Sequence, residues 1–333
     1  MKYLVTGASG FIGYHLTSKL ISDGHNVLGL DNFSSYYSPE LKLLRKQELT
    51  NNYQVNILDL DICTKPSVTK VVADFQPDSI VHLAAQPGIR LPLSKSGDYI
   101  QNNIVAFSNI IETAVQYEIP NFLYASSSSV YGNSQKIPFS ETEIGLKPIS
   151  LYGATKLSNE ILAPTYIANS RTRARGMRFF TVYGPWGRPD MAYLRLATSA
   201  LTGSPFKLFG DGQVKRDFTF VGDIVDMIGA LDKELFTRPI GFADVVNIGG
   251  GNPHSMIDLI ESIKNKIGKS ILIQSEESNK SDSRFTCADT TLLRQLTGFA
   301  PSVTLSEGLD EVLKWASDSN ISGRLHDWTT STH

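Results

Sequence analysis

The sequence predicts an α/β fold in which a doubly wound, parallel sheet is followed by a smaller C-terminal α/β lobe. Apolar runs of strand length alternate with amphipathic helical segments through the first half of the 333 residues, which is the pattern of parallel βαβ units. A glycine-rich turn follows the first of these runs directly, and the regular alternation ends at about Thr181. These three observations favour one large sheet with a second, less regular part behind it.

The composition is that of an ordinary globular protein, with 41% hydrophobic residues, 19% charged residues and a formal net charge of −2. No basic run or long apolar span points to nucleic acid or a membrane as a partner. The N-terminus enters a strand at once, so we expect no signal peptide and a cytoplasmic protein. Cys63 and Cys287 lack the spacing of a disulfide framework or a metal site, so we expect two free thiols and no bound metal.

The expected strands of the sheet follow one another with room for crossover helices between them. They are KYLVTG, NVLGLD, QVNILDLDI, DSIVHLAA and NFLYASSSSVYG. Beyond Thr181 come a Pro/Gly loop, the helical MAYLRLATSALTGS, and DFTFVGDIVDMIGAL, which starts as a strand and continues as a helix. We assign 1–180, with a returning segment at about 217–248, to the sheet domain, 181–216 and 249–320 to the smaller lobe, and 321–333 to a flexible tail.

The first turn carries a dinucleotide-binding signal. Gly7, Gly10 and Gly13 are spaced G-x-x-G-x-x-G after the first strand, and Phe11 and Ile12 open the helix that follows. Such glycines permit a tight turn, close approach of the backbone to a pyrophosphate and close packing of helix on strand.

Acidic residues end the next two strands. Asp31 ends the second strand, where a carboxylate accepts hydrogen bonds from a ribose and repels a 2′-phosphate, and Asn32 follows it instead of an arginine. The sequence therefore predicts NAD rather than NADP. The third and fourth strands end in further candidate cofactor contacts: Asp61, Ile62, Leu83, Ala84 and Ala85. His82 lies in an apolar run, and we expect it to be a packed strand residue.

A tyrosine and a lysine four residues apart, Tyr152 and Lys156, follow the serine-tipped fifth strand. In a helix they share one face. Together with the glycine turn and Asp31, this order resembles the extended short-chain dehydrogenase/reductase family, from Lys2 to about Trp315. The resemblance implies a Rossmann-like NAD-binding domain and a C-terminal substrate-binding lobe.

The resemblance implies that Tyr152 is the acid/base on a sugar hydroxyl, and that Lys156 lowers the pKa of this phenol and binds the nicotinamide ribose. Electrostatics supports the first role of Lys156, because a nearby ammonium stabilises the phenolate. A serine hydroxyl shares the substrate oxygen: Ser127 by the family's pattern, with Ser128 as the alternative. Ser129 is a candidate substrate contact.

The serines at 128 and 129 also bear on the reaction. Related 4,6-dehydratases carry an Asp-Glu pair at these two positions, and UDP-glucuronate decarboxylases a glutamate at the second. Without these carboxylates, the resemblance favours inversion of C4 of a nucleotide sugar after transient oxidation. The run RFFTVYGPWGRPDMA, with Thr181 and Arg188, resembles the UDP-glucuronate 4-epimerases, and the two residues could bind the C6 carboxylate.

Other substrate contacts are implied by the resemblance alone. They are Arg90 in QPGIR, Lys207 on the strand under the uracil, and Arg216 and Arg284 at the diphosphate. The serines around Asp282 depart from the family's pattern, which weakens the assignment of Arg284.

Several alternatives stay open. They are a 4-epimerase of another UDP-sugar, a UDP-glucuronate decarboxylase, and a catalytically silent nucleotide-sensing module. By resemblance we also expect a homodimer, with contacts through NNIVAFSNIIETAVQY and TKLSNEILAPTYIA.

Overall fold

A computed structural model describes residues 1–88, 92–277 and 285–330. The predicted substrate contacts Arg90 and Arg284 lie outside these ranges. The strands of the described residues, in chain order, are Lys2–Thr6 (β1), Asn26–Asp31 (β2), Asn56–Asp59 (β3), Ser79–His82 (β4), Asn121–Ser127 (β5), Arg173–Phe179 (β6), Thr181–Tyr183 (β7), Phe206–Phe209 (β8), Lys215–Phe220 (β9), Ala243–Ile248 (β10), Pro253–Ser255 (β11) and Ile273–Glu276 (β12). Seven of these form a parallel central sheet in the order β10-β6-β5-β4-β1-β2-β3.

Helices cover both faces of this sheet, so the prediction of a Rossmann-like α/β fold is confirmed. The helices of the described residues, in chain order, are Phe11–Ser22 (α1), Pro39–Tyr53 (α2), Lys65–Phe75 (α3), Ser96–Ile100 (α4), Ala106–Gln116 (α5), Leu151–Ile167 (α6), Ala192–Thr202 (α7), Val221–Leu235 (α8), Met256–Ile267 (α9), Thr291–Thr297 (α10), Leu305–Ala316 (α11) and Ser319–Thr330 (α12). A π-helical segment, Gln101–Val105, links α4 to α5, and Leu93–Lys95 and Ser128–Tyr131 are 3₁₀ turns.

The order of the strands explains where the site forms. β1 lies between β2 and β4, so the chain reverses direction across the sheet beside β1. Ligands of doubly wound sheets bind at such a reversal, beyond the carboxyl ends of the strands. The glycine turn follows β1 at this point, and the serine run follows β5 at the same edge.

A second hydrophobic core lies outside the large sheet. Side chains of α7, α9, α11 and α12 pack in it together with residues from β8 and β9. β9 pairs with β7 and β11 in a three-stranded sheet, and β8 pairs with β12. Capping boxes start α9 at Ser255 and α11 at Thr304. The role of this smaller part as the substrate-binding lobe stays a prediction.

The end of the chain differs from the flexible tail expected at 321–333. Residues up to 330 form α12, in which Ile321, Leu325 and Trp328 are at most 5% exposed. These three residues recur at i, i+4 and i+7, a stripe too short to stand out among polar neighbours. Tertiary packing against the second core stabilises the helix. Separately, no helix within the described ranges is long and apolar enough to cross a membrane.

Candidate active site

Three glycines shape the turn between β1 and α1. Gly7 has φ +70°, and a Cβ there would lie 2.8 Å from the amide nitrogen of Ala84. A Cβ on Gly13 would lie 2.0 Å from the Gly7 carbonyl oxygen. α1 begins after Gly10 without a side-chain cap or an acidic residue in its first turn, so its amides and dipole favour an anion. The turn fits the pyrophosphate of a dinucleotide.

Asp31 lies at the end of β2 and holds the glycine turn. Its two carboxylate oxygens accept hydrogen bonds from the backbone amides of Ser9, at 3.0 Å, and Phe33, at 2.9 Å. Each oxygen has a further lone pair that can accept a ribose hydroxyl. Asp31 is therefore placed as expected for a residue that binds the adenosine ribose.

Asn32 and Asp61 follow β2 and β3 and are exposed. The side-chain oxygen of Asn32 accepts a hydrogen bond from the Ser34 amide at 3.2 Å, and an Asp61 carboxylate oxygen accepts one from the Cys63 amide at 2.8 Å. Both side chains thus shape the loops at the strand ends, and their contact with a cofactor stays a prediction.

The apolar candidates for cofactor contacts lie at the ends of β3 and β4 or at the start of α1. Phe11 and Ile62 are each 7% exposed, so little of either side chain can meet a ligand. The others are half-buried: Ile12, Leu83, Ala84 and Ala85.

Tyr152 and Lys156 lie one turn apart near the start of α6. Ser150 caps this helix, because its hydroxyl oxygen accepts a hydrogen bond from the Gly153 amide at 3.1 Å. Lys156 is 1% exposed; its Nζ donates to the Ala125 carbonyl at 2.9 Å and lies 5.8 Å from the centre of the Tyr152 ring. Burial lowers the pKa of Lys156 to about 8, so this lysine still carries its charge beside the phenol at neutral pH.

Opposing effects act on the phenol. Burial raises the pKa of Tyr152, whereas the Arg188 guanidinium and contact with the Ser127 hydroxyl lower it. The ring of Tyr99 lies 6.2 Å from the Tyr152 ring. The Arg188 charge and the Ser127 hydroxyl therefore favour the phenolate that a proton acceptor requires, and burial opposes it.

The serine run at the end of β5 places one hydroxyl against Tyr152. Ser127 Oγ accepts a hydrogen bond from the Ser129 amide at 3.1 Å and donates to Ser129 Oγ at 3.2 Å. Ser127 also lies near enough to Tyr152 for its hydroxyl to lower the pKa of the phenol. Ser128 is half-buried in the 3₁₀ turn that follows. This geometry supports Ser127 over Ser128 as the serine that acts with Tyr152.

Arg188 lies in the loop after β7 and is paired with an acid that sequence reasoning did not identify. Its Nε and Nη2 donate to the two carboxylate oxygens of Asp190 at 3.0 and 2.7 Å. The Tyr36 hydroxyl also donates to Asp190, at 3.4 Å. The effect of Arg188 on the pKa of Tyr152 places its charge within electrostatic reach of the phenol. The sequence does place Asp190 two residues after Arg188, in the motif Arg-Pro-Asp, and this spacing could have indicated the pair.

The remaining described substrate candidates lie on the strands of the smaller part. Thr181 begins β7 and is half-buried. Lys207, on β8, is exposed and pairs with Glu276 at 3.6 Å. Arg216 lies on β9, and its Nη1 donates to the Lys215 carbonyl at 3.2 Å. The substrate contacts of these three residues stay predictions.

Arg45, a buried residue of α2, was missed by sequence reasoning. Its Nη1 donates to the Tyr37 hydroxyl at 2.7 Å and to the Ser9 carbonyl at 3.1 Å. Its Nη2 donates to the carbonyls of Trp186 and Gly187 at 2.6 and 3.0 Å. Arg45 therefore joins the glycine turn to the loop after β7. Its sequence neighbourhood is that of a polar surface helix and gives no signal of this role.

Two predictions about residues to which we assign no catalytic role are confirmed. His82 is 2% exposed; its Nδ1 lies 2.7 Å from Thr6 Oγ1, and burial lowers its pKa to about 3, so it stays neutral as a packed strand residue. Cys63 and Cys287 are both free thiols.

Comparisons with known proteins show the family of the chain. The model of the NAD dependent epimerase/dehydratase family matches residues 3–249. A probable UDP-glucuronate 4-epimerase of Rhizobium meliloti (strain 1021) is 35% identical over 329 residues, covering 95% of this chain and 96% of the relative. UDP-glucuronate 4-epimerase 5 of Arabidopsis thaliana is 38% identical over 328 residues, covering 94% and 74% respectively. The crystal structure of UDP-glucuronic acid 4-epimerase from Bacillus cereus, in complex with UDP-glucuronic acid and NAD, superposes with a TM-score of 0.87 at 35% identity, covering 95% of this chain and 98% of that one.

Proposed function

The chain belongs to the NAD-dependent epimerase/dehydratase family, and we propose that it inverts C4 of UDP-glucuronate to give UDP-galacturonate. The observation that carries this proposal is the placement of Tyr152: Lys156 Nζ lies 5.8 Å from the centre of its ring, and the Ser127 hydroxyl and the Arg188 guanidinium lower the pKa of its phenol. Relatives that cover nearly the whole chain bear the name of this activity.

The residues present fit NAD as the cofactor. The glycine turn and the free N-terminus of α1 would hold the pyrophosphate, Asp31 the adenosine ribose, and Lys156 the nicotinamide ribose. When bound, NAD supplies the acceptance and return of a hydride at C4 of the sugar.

Tyr152 moves the proton of the C4 hydroxyl. As a phenolate it accepts this proton while C4 is oxidised, and as a phenol it donates the proton back when C4 is reduced. Ser127 holds the substrate oxygen against the phenol, and the ammonium of Lys156, 5.8 Å from the centre of the Tyr152 ring, stabilises the phenolate. Inversion requires the 4-keto sugar to present its opposite face before it is reduced.

Two features favour inversion of C4 over elimination and over decarboxylation of the sugar. Ser128 and Ser129 stand where elimination would need carboxylates, so no acid/base pair is available there to remove the C5 proton and expel the C6 hydroxyl. A 4-keto uronate is a β-keto acid, and it is protected from decarboxylation when hydrogen bonds keep its carboxylate out of the perpendicular orientation. Arg188 and Thr181 are the donors we assign to that carboxylate.

A 4-epimerase of a neutral UDP-sugar is the second candidate. The pairing of Arg188 with Asp190 favours it, because part of the guanidinium is already occupied by a carboxylate. Arg188→Ala separates the two candidates. If Arg188 binds a uronate, kcat/KM for UDP-glucuronate should fall at least about tenfold more than kcat/KM for UDP-glucose, since hydrogen bonds between charged groups contribute about 1.5–3 kcal/mol. Arg324→Ala, at an exposed arginine, is the control. Equal losses for both sugars would mean that Arg188 does not bind the carboxylate.

We also propose a cytoplasmic homodimer. The segments expected at its contact, 102–117 and 155–168, expose Val105, Tyr117 and Ile161. Apolar side chains on two neighbouring helices suit a symmetric interface.

A product assay with UDP-glucuronate, UDP-glucose and UDP-N-acetylglucosamine side by side tests the function. The protein is expected to convert UDP-glucuronate to UDP-galacturonate without added NAD, because the cofactor only cycles. Turnover of UDP-N-acetylglucosamine with none of UDP-glucuronate would refute the proposal.

A further inference from the structure

Glu160 extends the helix face that carries the catalytic pair. Tyr152, Lys156 and Glu160 are spaced four residues apart on α6, so they lie on one side of the helix. The Glu160 carboxylate accepts hydrogen bonds from Nε and Nη2 of Arg178, on β6, at 2.9 and 2.7 Å. The two side chains are only 6% and 4% exposed. A buried, bidentate ion pair therefore joins α6 to the sheet two turns beyond Tyr152.

The same ion pair holds the serine run on both sides. The Ser126 hydroxyl donates a hydrogen bond to Glu160. Arg178 Nη1 donates to the Tyr131 hydroxyl at 2.9 Å, and the guanidinium lies 4.8 Å from the centre of the Tyr131 ring. The run 127–129 lies between these two attachment points. One ion pair thus fixes both the helix that carries Tyr152 and the turn that carries its serine partner.

We propose that Glu160 and Arg178 are positioning residues that fix the Tyr152 phenol against the Ser127 hydroxyl. This inference rests on the proposed function for its kinetic consequence, but its geometry does not depend on which sugar is bound. A buried ion pair adds little net stability compared with apolar packing. A displacement of about 1 Å between catalytic groups, in contrast, can cost on the order of a hundredfold in rate.

The titration of Tyr152 reports this geometry. Among the described residues, Lys156 on α6, Tyr99 on α4 and Arg188 in the loop after β7 are charged or titratable groups near the phenol. The Ser127 hydroxyl lowers the pKa of Tyr152. If the ion pair loosens and Ser127 moves away from the phenol, the pKa of Tyr152 should rise. Removing the negative charge of Glu160 would by itself lower the pKa of Tyr152. The variants tested therefore keep that charge.

β6 also supplies a matched control. Arg175 lies three residues before Arg178, on the opposite face of the strand, and is fully buried. Its Nε and Nη2 donate to both carboxylate oxygens of Asp244 at 2.7 Å. This second bidentate pair holds no part of α6 or of the serine run, so it controls for the general loss of a buried ion pair.

The experiment compares Arg178→Lys and Glu160→Asp with Arg175→Lys. All three changes keep the charge but shorten or reshape the contact. For each NAD-loaded protein, the pKa of Tyr152 is read from ultraviolet difference absorbance against the same protein carrying Tyr152→Phe. kcat and KM for UDP-glucuronate and the urea midpoint of unfolding are measured beside it. Ser126→Ala, which removes only one hydroxyl, repeats the test should an ion-pair variant not fold.

Arg178→Lys, Glu160→Asp and Ser126→Ala are expected to raise the pKa of Tyr152. The ion-pair variants should lower kcat about tenfold or more and leave KM within about twofold. Arg175→Lys should lower the urea midpoint while leaving the Tyr152 titration and kcat unchanged. An unaltered Tyr152 titration in the Arg178, Glu160 and Ser126 variants, or an equal change in Arg175→Lys, would overturn the inference. The titration needs no turnover, so it decides this inference even where the proposed function fails.

Discussion

At the residue scale, the chemistry depends on how burial and charge balance at Tyr152. Burial alone would hold the phenol neutral, because its pKa is raised. The Arg188 guanidinium and the Ser127 hydroxyl oppose that effect, because both lower the pKa of Tyr152. The pKa of Tyr152 therefore depends on a few polar groups in a largely buried site, where the low dielectric makes each electrostatic interaction stronger.

Ser127→Ala tests the most specific of these contacts. In the proposed mechanism, Tyr152 must lose its proton before it can accept one, so activity is expected to rise with pH through the pKa of Tyr152. Removing the Ser127 hydroxyl raises that pKa, and the rising limb of the profile of kcat against pH should move to higher pH. We expect kcat at pH 7 to fall by about 10- to 1,000-fold, by analogy with the loss of one transition-state donor.

Ser128→Ala is the comparison for this change, because it deletes the neighbouring hydroxyl of the same run. It should move the rising limb less than Ser127→Ala does. A larger effect at Ser128 would reverse the order of the two serines in our assignment.

At the element scale, the sequence predicted the sheet well because each strand carries its own signal. The runs that form β1, β2, β4 and β5 are apolar, β-rich and bounded by turns, and they are largely buried on both faces. β3, at the edge of the sheet, buries Ile57 but exposes Asn56 and Asp59. The glycine spacing predicted the turn because only glycine fits the approach of Gly13 to the Gly7 carbonyl. Tyr152 and Lys156 were found because four residues are about one helical turn.

Contacts between distant segments could not be predicted in this way. Arg45 binds carbonyls more than 140 residues away, at Gly187, and nothing near Arg45 in the sequence indicates that partner. Glu160 was not identified, although its spacing from Lys156 repeats that of Lys156 from Tyr152. Its partner Arg178 lies in another element, and only the structure brings the two together.

Gly13→Ala tests the packing of α1 on the turn. A Cβ would lie 2.0 Å from the Gly7 carbonyl oxygen, so the helix start must shift. We expect the free energy of unfolding in urea to fall by about 1–3 kcal/mol, the usual cost of overpacking, with weaker NAD retention.

Gly229→Ala, in α8, is the control, because a Cβ there meets nothing within 4 Å. It should raise stability by about 0.5–1 kcal/mol, since alanine is the better helix former. Equal stability of the two variants would contradict the close approach at Gly13.

At the scale of the whole molecule, the C-terminal helix α12 contacts α2. Trp328 on α12 donates from Nε1 to Glu40 on α2 at 2.8 Å. The second core contains α12 together with Tyr37 and Leu41, from the region of α2. The last helix therefore supports the loop after β2, which carries Tyr36 beside Asp190.

Trp328→Ala should consequently destabilise the protein by about 3–5 kcal/mol, the usual cost of truncating a buried aromatic residue. Urea unfolding measures the loss, and His326→Ala, at an exposed position of the same helix, should change stability by less than about 0.5 kcal/mol. A small effect at Trp328 would mean that α12 contributes little to the folded molecule.

In the proposed reaction, one protein site oxidises C4 of the sugar and reduces it again from the other face. Incubation of the purified protein with UDP-glucuronate deuterated at C4, followed by NMR of the products, is the decisive test. We expect UDP-galacturonate that retains the deuterium at C4, and no product from the Tyr152→Phe variant. Loss of the deuterium to solvent, or a decarboxylated pentose as the main product, would contradict it.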